Sequence, residues 1–517
     1  MKPFLERSRR ISLFILAAGI AFSGRLNLYA ADSSGTPPAK PNIIFILADD
    51  FSMDLLPYMI QSPTHGLEGM INEGTSFSNY FVSDSLCCPS RSSIFTGKFP
   101  HNTGVFTNTW DPKKGQLDGG FGAFNNNQNE LHTFALALHQ GQYETAMLGK
   151  YLNGYLPWDT EPYNKSRAWT TVWGWDEWDV AGNGYPEFIY DLNQNGAVKH
   201  YGIDPSDYLT DNLSRLAQAF LQSAKGPFFI EVATFAPHSP YRPAYRDETA
   251  YPGAAVPRTP AYDAIPDANA PDWMRDTPAL APQEMEAMDN EFRLRAQSVR
   301  AIDKLISDIR AGLKATGEDQ NTYIFFSSDN GYHMGEYRFL PGKMTPFDTD
   351  IRVPLVVVGP GVPHQTIQAI AQNIDLSPTF TDLGGHSAPT EPDGKSLVPF
   401  LQGVKPPVWR TKALIEHHGP PDDPSDPDNE KNERASGNAN PPNYEALRTD
   451  QYLYVEYDNN GSTLSEQGYY DVVKDPYELK NIFKSLPPSQ QAALHSALQK
   501  MINCGQPGNP TCWQAQQ

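Results

Sequence analysis

An α/β fold is predicted: a doubly wound mixed sheet flanked by helices, with a smaller C-terminal α+β domain. Three features carry this reading. The run Asn42 to Ala48 (NIIFILA) is continuously apolar and stops abruptly at Asp49-Asp50, as a buried parallel strand does when function sits at its carboxyl end. Similar short runs recur at Thr145–Leu148, Phe228–Phe235, Tyr323–Ser327 and Pro354–Val358, with helical patterns at Leu131–His139 and Gln283–Leu313 between them. Strands alternating with helices imply a parallel-rich sheet covered on both faces. Finally, Tyr444–Tyr457 alternates like paired strands, Asp458–Gly461 turns the chain and Pro488–Ile502 has a helical pattern, which together describe a separate small domain.

At the N-terminus, Lys2, Arg7, Arg9 and Arg10 precede the apolar run Ile11–Phe22, and small residues follow at Ala30 and Ala31. This arrangement predicts a secretory signal over residues 1–31, whose apolar run is too short to span a bilayer comfortably. The protein is therefore expected to be exported, to periplasm or outside, with no stable membrane span. The Arg9-Arg10 pair leaves Sec and twin-arginine routes both open. A catalytic domain is expected over 40–400 and the C-terminal subdomain over 408–517. Residues 237–282, rich in Pro, Ala and Asp, read as a long surface excursion. Residues 417–443 are polar and Pro-rich, and a mobile loop is expected there.

The chain of 517 residues carries a formal charge of -20. The first 30 residues hold five basic and one acidic side chain, so their removal takes the charge from -20 to -24. Such an acidic body repels nucleic acid and anionic membranes, so neither is an expected partner. An anionic substrate would need a local cluster of Lys, Arg, His and metal.

Of the four cysteines, Cys504 and Cys512 close the loop CGQPGNPTC, which in an exported protein reads as a disulfide. Cys87 and Cys88 open the segment CCPSRSSIFTG. A bond between these neighbours would be strained, and a free cysteine is commonly an inert core residue. Pro89 suits the first turn of a helix and Gly97 its C-terminal cap. Cys87 then stands at a helix N-terminus, where backbone N–H groups favour an anion, with Arg91 one turn later.

The pattern C-x-P-S-R followed by S/T-x-x-T-G resembles the signature of type I sulfatases, whose sheet is alkaline-phosphatase-like. The resemblance implies that Cys87 is converted to formylglycine, an aldehyde whose hydrate is the nucleophile. Cys88 is excluded, because proline must come two positions after the modified residue. A formylglycine-generating enzyme would be the maturation partner. Asp49 and Asp50 match the family's first metal carboxylates, and Asp329 and Asn330 in SSDNGYH match the second pair. With the oxygen of modified Cys87, these all-oxygen ligands suit a hard cation, calcium first and magnesium as the alternative. Lys150 in GKYLNGY, His238 in APHSP and Lys343 in LPGKMTPFDTDIRVP fall in segments resembling those that bind sulfate and transfer protons.

One departure stands out. Many relatives carry histidine shortly after the GK lysine, whereas Tyr151, Leu152 and Asn153 follow here. Asn153 can take over a hydrogen bond but not a protonated donor's role. The segments CCPSRSS, GKYLNGY, DNGYH and FDTDIRVP are similar to the subgroup of N-acetylglucosamine-6-sulfatase and the extracellular heparan 6-O-sulfatases. His333 belongs to the same pattern and either contacts substrate, assists the leaving group or braces the metal loop. The function implied is hydrolysis of sulfate esters, on sulfated sugars of the 6-O-sulfo-glucosamine type and on aryl sulfates. The alternative is a phosphonate monoesterase or phosphodiesterase of the same superfamily.

Overall fold

The computed structural model describes residues 40–113, 115–158, 172–388, 390–418, 441–458 and 464–517. The export signal expected at 1–31 and nearly all of the loop expected at 417–443 lie outside the described residues. Residues 39–517 form one compact unit.

The strands, in chain order, are β1 (Asn42–Ala48), β2 (Thr75–Phe77), β3 (Tyr80–Phe81), β4 (Glu144–Lys150), β5 (Glu177–Ala181), β6 (Tyr190–Gln194), β7 (Ala197–Tyr201) and β8 (Phe228–Ala233). They continue with β9 (Thr322–Ser328), β10 (Leu355–Val358), β11 (Gln365–Ile367), β12 (Ala371–Gln372), β13 (Lys412–His417), β14 (Asn443–Thr449), β15 (Tyr452–Asp458) and β16 (Leu464–Asp471). Ten of these form one mixed sheet in the order β11-β2-β10-β9-β1-β8-β4-β5-β6-β7. Its centre, β9-β1-β8-β4-β5, is parallel, with Ile44 level with Ile230 on one side and Ile324 on the other. Antiparallel pairs flank it at β10 and at β6 and β7.

Period-two alternation sends each strand into two cores. Ile43, Phe45 and Leu47 of β1 join one buried cluster with Phe229 and Phe325, beneath Ile94, Phe95, Phe134 and Phe380. Ile44, Ile46 and Ala48 join the other, covered by Leu213 and Ala217 of the helix Leu209–Ser223 and by Ile302, Leu305 and Ile306 of the helix Pro282–Thr316. Both faces are sealed, which is why β1 reads as an unbroken apolar run.

Phe380 is the hub of the first core. Its ring centroid lies 5.3 Å from Phe45, 5.2 Å from Phe229 and 5.1 Å from both Phe325 and Phe134. It therefore touches the three central strands β1, β8 and β9 at once.

The long helix runs from Pro282 to Thr316, slightly beyond its predicted span. Glu284 accepts the Ala281 N–H at 2.6 Å, and Gly317, at φ 78°, ends the helix in the left-handed region. The helix predicted at Leu131–His139 starts later, at Phe134, because the Thr133 side chain accepts from Leu136 N and caps it there. The segment 237–282 is irregular, as expected, yet it is packed rather than merely superficial. Tyr241, Ala254, Val256, Ala261 and Met274 are buried and anchor it.

In the C-terminal region, β13-β14-β15-β16 form an antiparallel sheet. Leu414, Leu447 and Tyr454 pack there against Leu494, Leu498 and Met501 of the helix Pro488–Ile502. Cys504 and Cys512 are brought into sulfur contact with their Cα atoms 4.7 Å apart. Among the described residues no helix is long and apolar enough to cross a membrane.

Phe380→Ala should cost about 3–5 kcal/mol of stability, the usual range for removing a buried phenyl ring. Urea denaturation followed by tryptophan fluorescence would measure it. A loss below about 1 kcal/mol would show that the hub is not a cornerstone.

Candidate active site

The parallel strands deliver their functional residues to one edge, as expected at the carboxyl ends of an open α/β sheet. Asp49 and Asp50 follow β1, Asp329 and Asn330 follow β9, Lys150 ends β4, and His238 lies just beyond β8. Asp50 sits at φ 60°, a left-handed conformation that aspartate tolerates better than most residues. Arg295, from the middle of the long helix, holds this turn by donating to the Asp50 carbonyl and to Ser52 Oγ.

The helix Cys87–Thr96 starts where Pro89 predicts and ends at Gly97, φ 72°. All ten of its residues are buried. Ser90 Oγ donates to the Asp329 carbonyl, and Asn373 Nδ2 donates to Ser90 Oγ at 3.0 Å. The helix is thus pinned beneath the β9 loop.

The two cysteines part company here. Cys87 Sγ lies 3.4 Å from Asp49 Oδ1 and 3.0 Å from Lys343 Nζ. Cys88 instead joins the apolar core, where burial pushes its thiol up to about 12.

Around Cys87 the charges interlock. Arg91 Nε donates to Asp329 Oδ2 at 2.7 Å and Nη1 to the Lys150 carbonyl at 3.1 Å, while Nη2 lies 3.6 Å from Asp49 Oδ1. Lys150 Nζ contacts Asp49 Oδ2 at 2.6 Å, and Lys343 Nζ contacts Asp50 Oδ1 at 2.7 Å. His238 Nε2 is 3.5 Å from Asp50 Oδ2. Its Nδ1 lies 2.8 Å from the Ser239 carbonyl, which can only accept, so Nδ1 carries a proton and Nε2 faces the site. Burial raises Asp49 above the ordinary carboxylate range, against the pull of Lys150. Burial acts the same way on Asp329, but Arg91, Lys150 and Lys343 outweigh it and hold that carboxyl low.

These residues fit a hard cation. Asp49, Asp50 and Asp329 each offer a carboxylate oxygen, and these lie within 4.8 Å of one another and of Cys87 Sγ. Asp50 Oδ2 and Asn330 Oδ1 are buried without a hydrogen-bond partner. Asn330 Nδ2 donates to Asp50 Oδ1 at 2.6 Å and to the Gly331 carbonyl, which leaves its amide oxygen turned away from both. Oxygen donors of this kind match calcium or magnesium.

His333 stands behind this cluster. Its Nδ1 lies 2.9 Å from Asp350, and its backbone exchanges hydrogen bonds with Gly342, next to Lys343. The contact stitches the DNGYH loop to the lysine loop, in keeping with the bracing alternative. Asn153 Nδ2 donates to Tyr185 Oη at 3.2 Å. Tyr185, in turn, lies under Lys150 Nζ, 4.9 Å from its ring centroid, and beside the His238 ring at 4.6 Å.

Three neighbours were not singled out from the sequence. Asp350 lies inside the quoted FDTDIRVP segment, where its partner could not be read. Arg295 sits in an ordinary helical pattern, and Tyr185 in the turn between β5 and β6, so neither carries a sequence signal.

A family model described as Sulfatase matches residues 41–386, and one described as N-sulphoglucosamine sulphohydrolase, C-terminal, matches residues 335–504. N-acetylglucosamine-6-sulfatase of Capra hircus is 33% identical over 496 residues, covering 92% of this chain and 85% of the goat protein. A solved structure of a protein in complex with its substrate D-glucosamine-2-N,6-O-disulfate superposes with a TM-score of 0.69 at 22% identity, covering 89% of this chain and 97% of that one. The phosphonate monoester hydrolase of Agrobacterium radiobacter superposes with a TM-score of 0.64 at 20% identity, covering 90% and 95% of the two chains. The last two likenesses bear on the fold alone; with the family model spanning most of the chain and the goat relative nearly all of it, this chain belongs to the sulfatase family, the hydrolases of sulfuric esters.

Proposed function

We propose that the chain hydrolyses 6-O-sulfated glucosamine-type sugars, and aryl sulfates as simpler substrates, with a formylglycine made from Cys87 and one calcium ion. The observation that carries this reading is the interlocked cluster of three carboxylates and three cationic side chains around Cys87, whose Sγ meets Asp49 and Lys343 at a helix N-terminus. Asp49, Asp50, Asp329 and Asn330 would hold the ion, with magnesium as its alternative. Hydrated formylglycine at position 87 would supply a geminal diol for attack on sulfur and for expulsion of sulfate, and the bound ion would polarise its oxygens.

The chain's own residues provide the rest. Arg91 fixes Asp329 and offers its charge beside position 87. Lys150 and Lys343 are buried, at 2% exposure each, so their charges act on sulfuryl oxygens with little screening. As the imidazolium, His238 would keep its Nδ1 proton on Ser239 and deliver its second proton from Nε2 to the departing oxygen, leaving the neutral Nδ1–H ring. His333 keeps the Lys343 loop in register. Maturation requires a formylglycine-generating enzyme. The basic and apolar N-terminal sequence supports export, where Cys504 and Cys512 would persist as a disulfide. Phosphonate monoester or phosphodiester hydrolysis is the second reading, supported by the likeness to the Agrobacterium fold. The goat relative's sequence identity favours sulfate.

Cys87→Ala should lower sulfate-ester turnover by about 10⁴-fold or more, as loss of a nucleophile does. Cys88→Ala should keep most of the activity and cost about 1 kcal/mol of stability through its small cavity. The reverse pattern would refute the register, and mass spectrometry of the peptide across Cys87 reads the modification directly.

Chelation should abolish turnover, and added calcium should restore it. Asp50→Asn should lower bound metal, measured by elemental analysis, together with activity. Full activity in metal-free protein would sink the cation assignment.

His238→Ala should harm hydrolysis of a sugar 6-sulfate at least about tenfold more than hydrolysis of 4-nitrophenyl sulfate, because an alkoxide leaving group needs its proton and a nitrophenolate does not. Equal losses on the two substrates would assign His238 to sulfate binding instead.

A further inference from the structure

Tyr185 meets three of the residues assigned to the sulfate site although it belongs to none of the recognised segments. It lies in the turn joining β5 to β6, at the border of the parallel centre and the antiparallel flank. Lys150 and His238 are nearly fully buried, at 2% and 1% exposure, while Tyr185 is only partly buried. Its ring packs against Phe235, centroids 5.0 Å apart at 80°, and against the His238 imidazole. The Lys150 ammonium lies above the ring face, an arrangement favourable by cation–π attraction. The phenol is therefore fixed between the buried cations and the outside.

The hydroxyl is held in place as well: Asn153 Nδ2 donates to Tyr185 Oη at 3.2 Å. Asn153 occupies the stretch where many relatives carry a histidine after the GK lysine. A neutral amide at that point cannot be a protonated donor, but it can aim a phenol.

We infer that Tyr185 is a second hydrogen-bond donor to the ester oxygen that leaves, and so a substrate-contacting residue for the sulfated alcohol. The burial gradient supports the assignment. Arg91, Lys150 and Lys343 lie on the inner side and meet the non-bridging oxygens. The bridging oxygen points outward, toward the part of the substrate that stays in solvent, and meets the half-buried rim first. As the S–O bond breaks, its electron pair stays on that oxygen. The proton comes from His238, and Tyr185 keeps its own while stabilising the growing charge. A hydrogen bond to a charged oxygen contributes about 1.5–3 kcal/mol, or roughly ten- to a hundredfold in rate.

The inference rests on the site proposed above, and a leaving-group series separates the two. The experiment measures kcat/KM of the matured, calcium-loaded enzyme on aryl sulfates whose phenols span a wide range of pKa. For Y185F the loss should be under about threefold on 4-nitrophenyl sulfate and should reach about tenfold or more on phenyl sulfate, steepening the dependence on leaving-group pKa. N153A, which only loosens the phenol, should steepen it less. No loss in Y185F, or a uniform loss across the series, overturns the inference, since a purely structural or sulfate-binding role lowers all substrates alike. Cys87→Ala in the same assay tests the nucleophile independently, because its loss does not depend on the leaving group.

Discussion

Three carboxylates within a few ångströms of one another, sealed from water, would repel each other and lose their hydration at a cost of several kcal/mol per ion. Asp49, Asp50 and Asp329 are placed in this situation at 0–1% exposure. They persist there because Arg91, Lys150 and Lys343 each contact one or more of them, and because Asp50 and Asp329 also accept N–H donors from Asn330. Much of the surrounding architecture serves this one balance. The tuning is uneven: Asp329 is held low by its cations, while burial raises Asp49. A divalent ion would add positive charge to a cluster in which Asp50 Oδ2 and Asn330 Oδ1 are buried without a hydrogen bond.

The sheet makes that concentration feasible. Parallel neighbours β9, β1, β8 and β4 run in register and end at the same edge, so residues from distant parts of the chain arrive together without long loops. The aromatic hub at Phe380 ties three of those strands to one helix face, which gives the charged edge a stiff foundation. Arg295 completes the support from the opposite face by fixing the turn at Asp50. The helix that bears Cys87 is polar by composition yet fully buried, and its Ser90 and Arg91 bond to the loop after β9 instead of to water.

The C-terminal sheet is joined to this centre through specific polar contacts. Tyr444 Oη donates to the Met344 carbonyl at 3.0 Å, next to Lys343, and Arg448 pairs with Asp348 at 2.7 Å. Both contacts brace the segment 343–352, which carries the second lysine. The two matching family models overlap over residues 335–386, the stretch that includes Lys343 and Asp348.

The amino-acid sequence by itself determined strands β1, β4, β8, β9 and β10, the helix at Cys87, the helix Pro488–Ile502 and the residues with chemical potential, but not the central strand β5. Each is encoded locally: continuous Ile- and Phe-rich runs, Pro89 and Gly97 as helix bounds, and acidic or basic residues directly after a strand. The resemblance to the sulfatase signature, not the local pattern itself, set Cys87 apart from Cys88 by the position of Pro89. Short strands such as β2 and β11, and the hairpin formed by β6 and β7, escaped that reading because pairing with distant partners, not their own patterns, makes them strands. Tertiary structure alone decided that Lys150 faces Asp49, that Lys343 faces Asp50 and Cys87, and that His333 is held by Asp350. It alone placed Tyr185 beside Asn153. These pairs are separated by tens to hundreds of residues, and only the packing of the sheet brings their side chains within bonding distance.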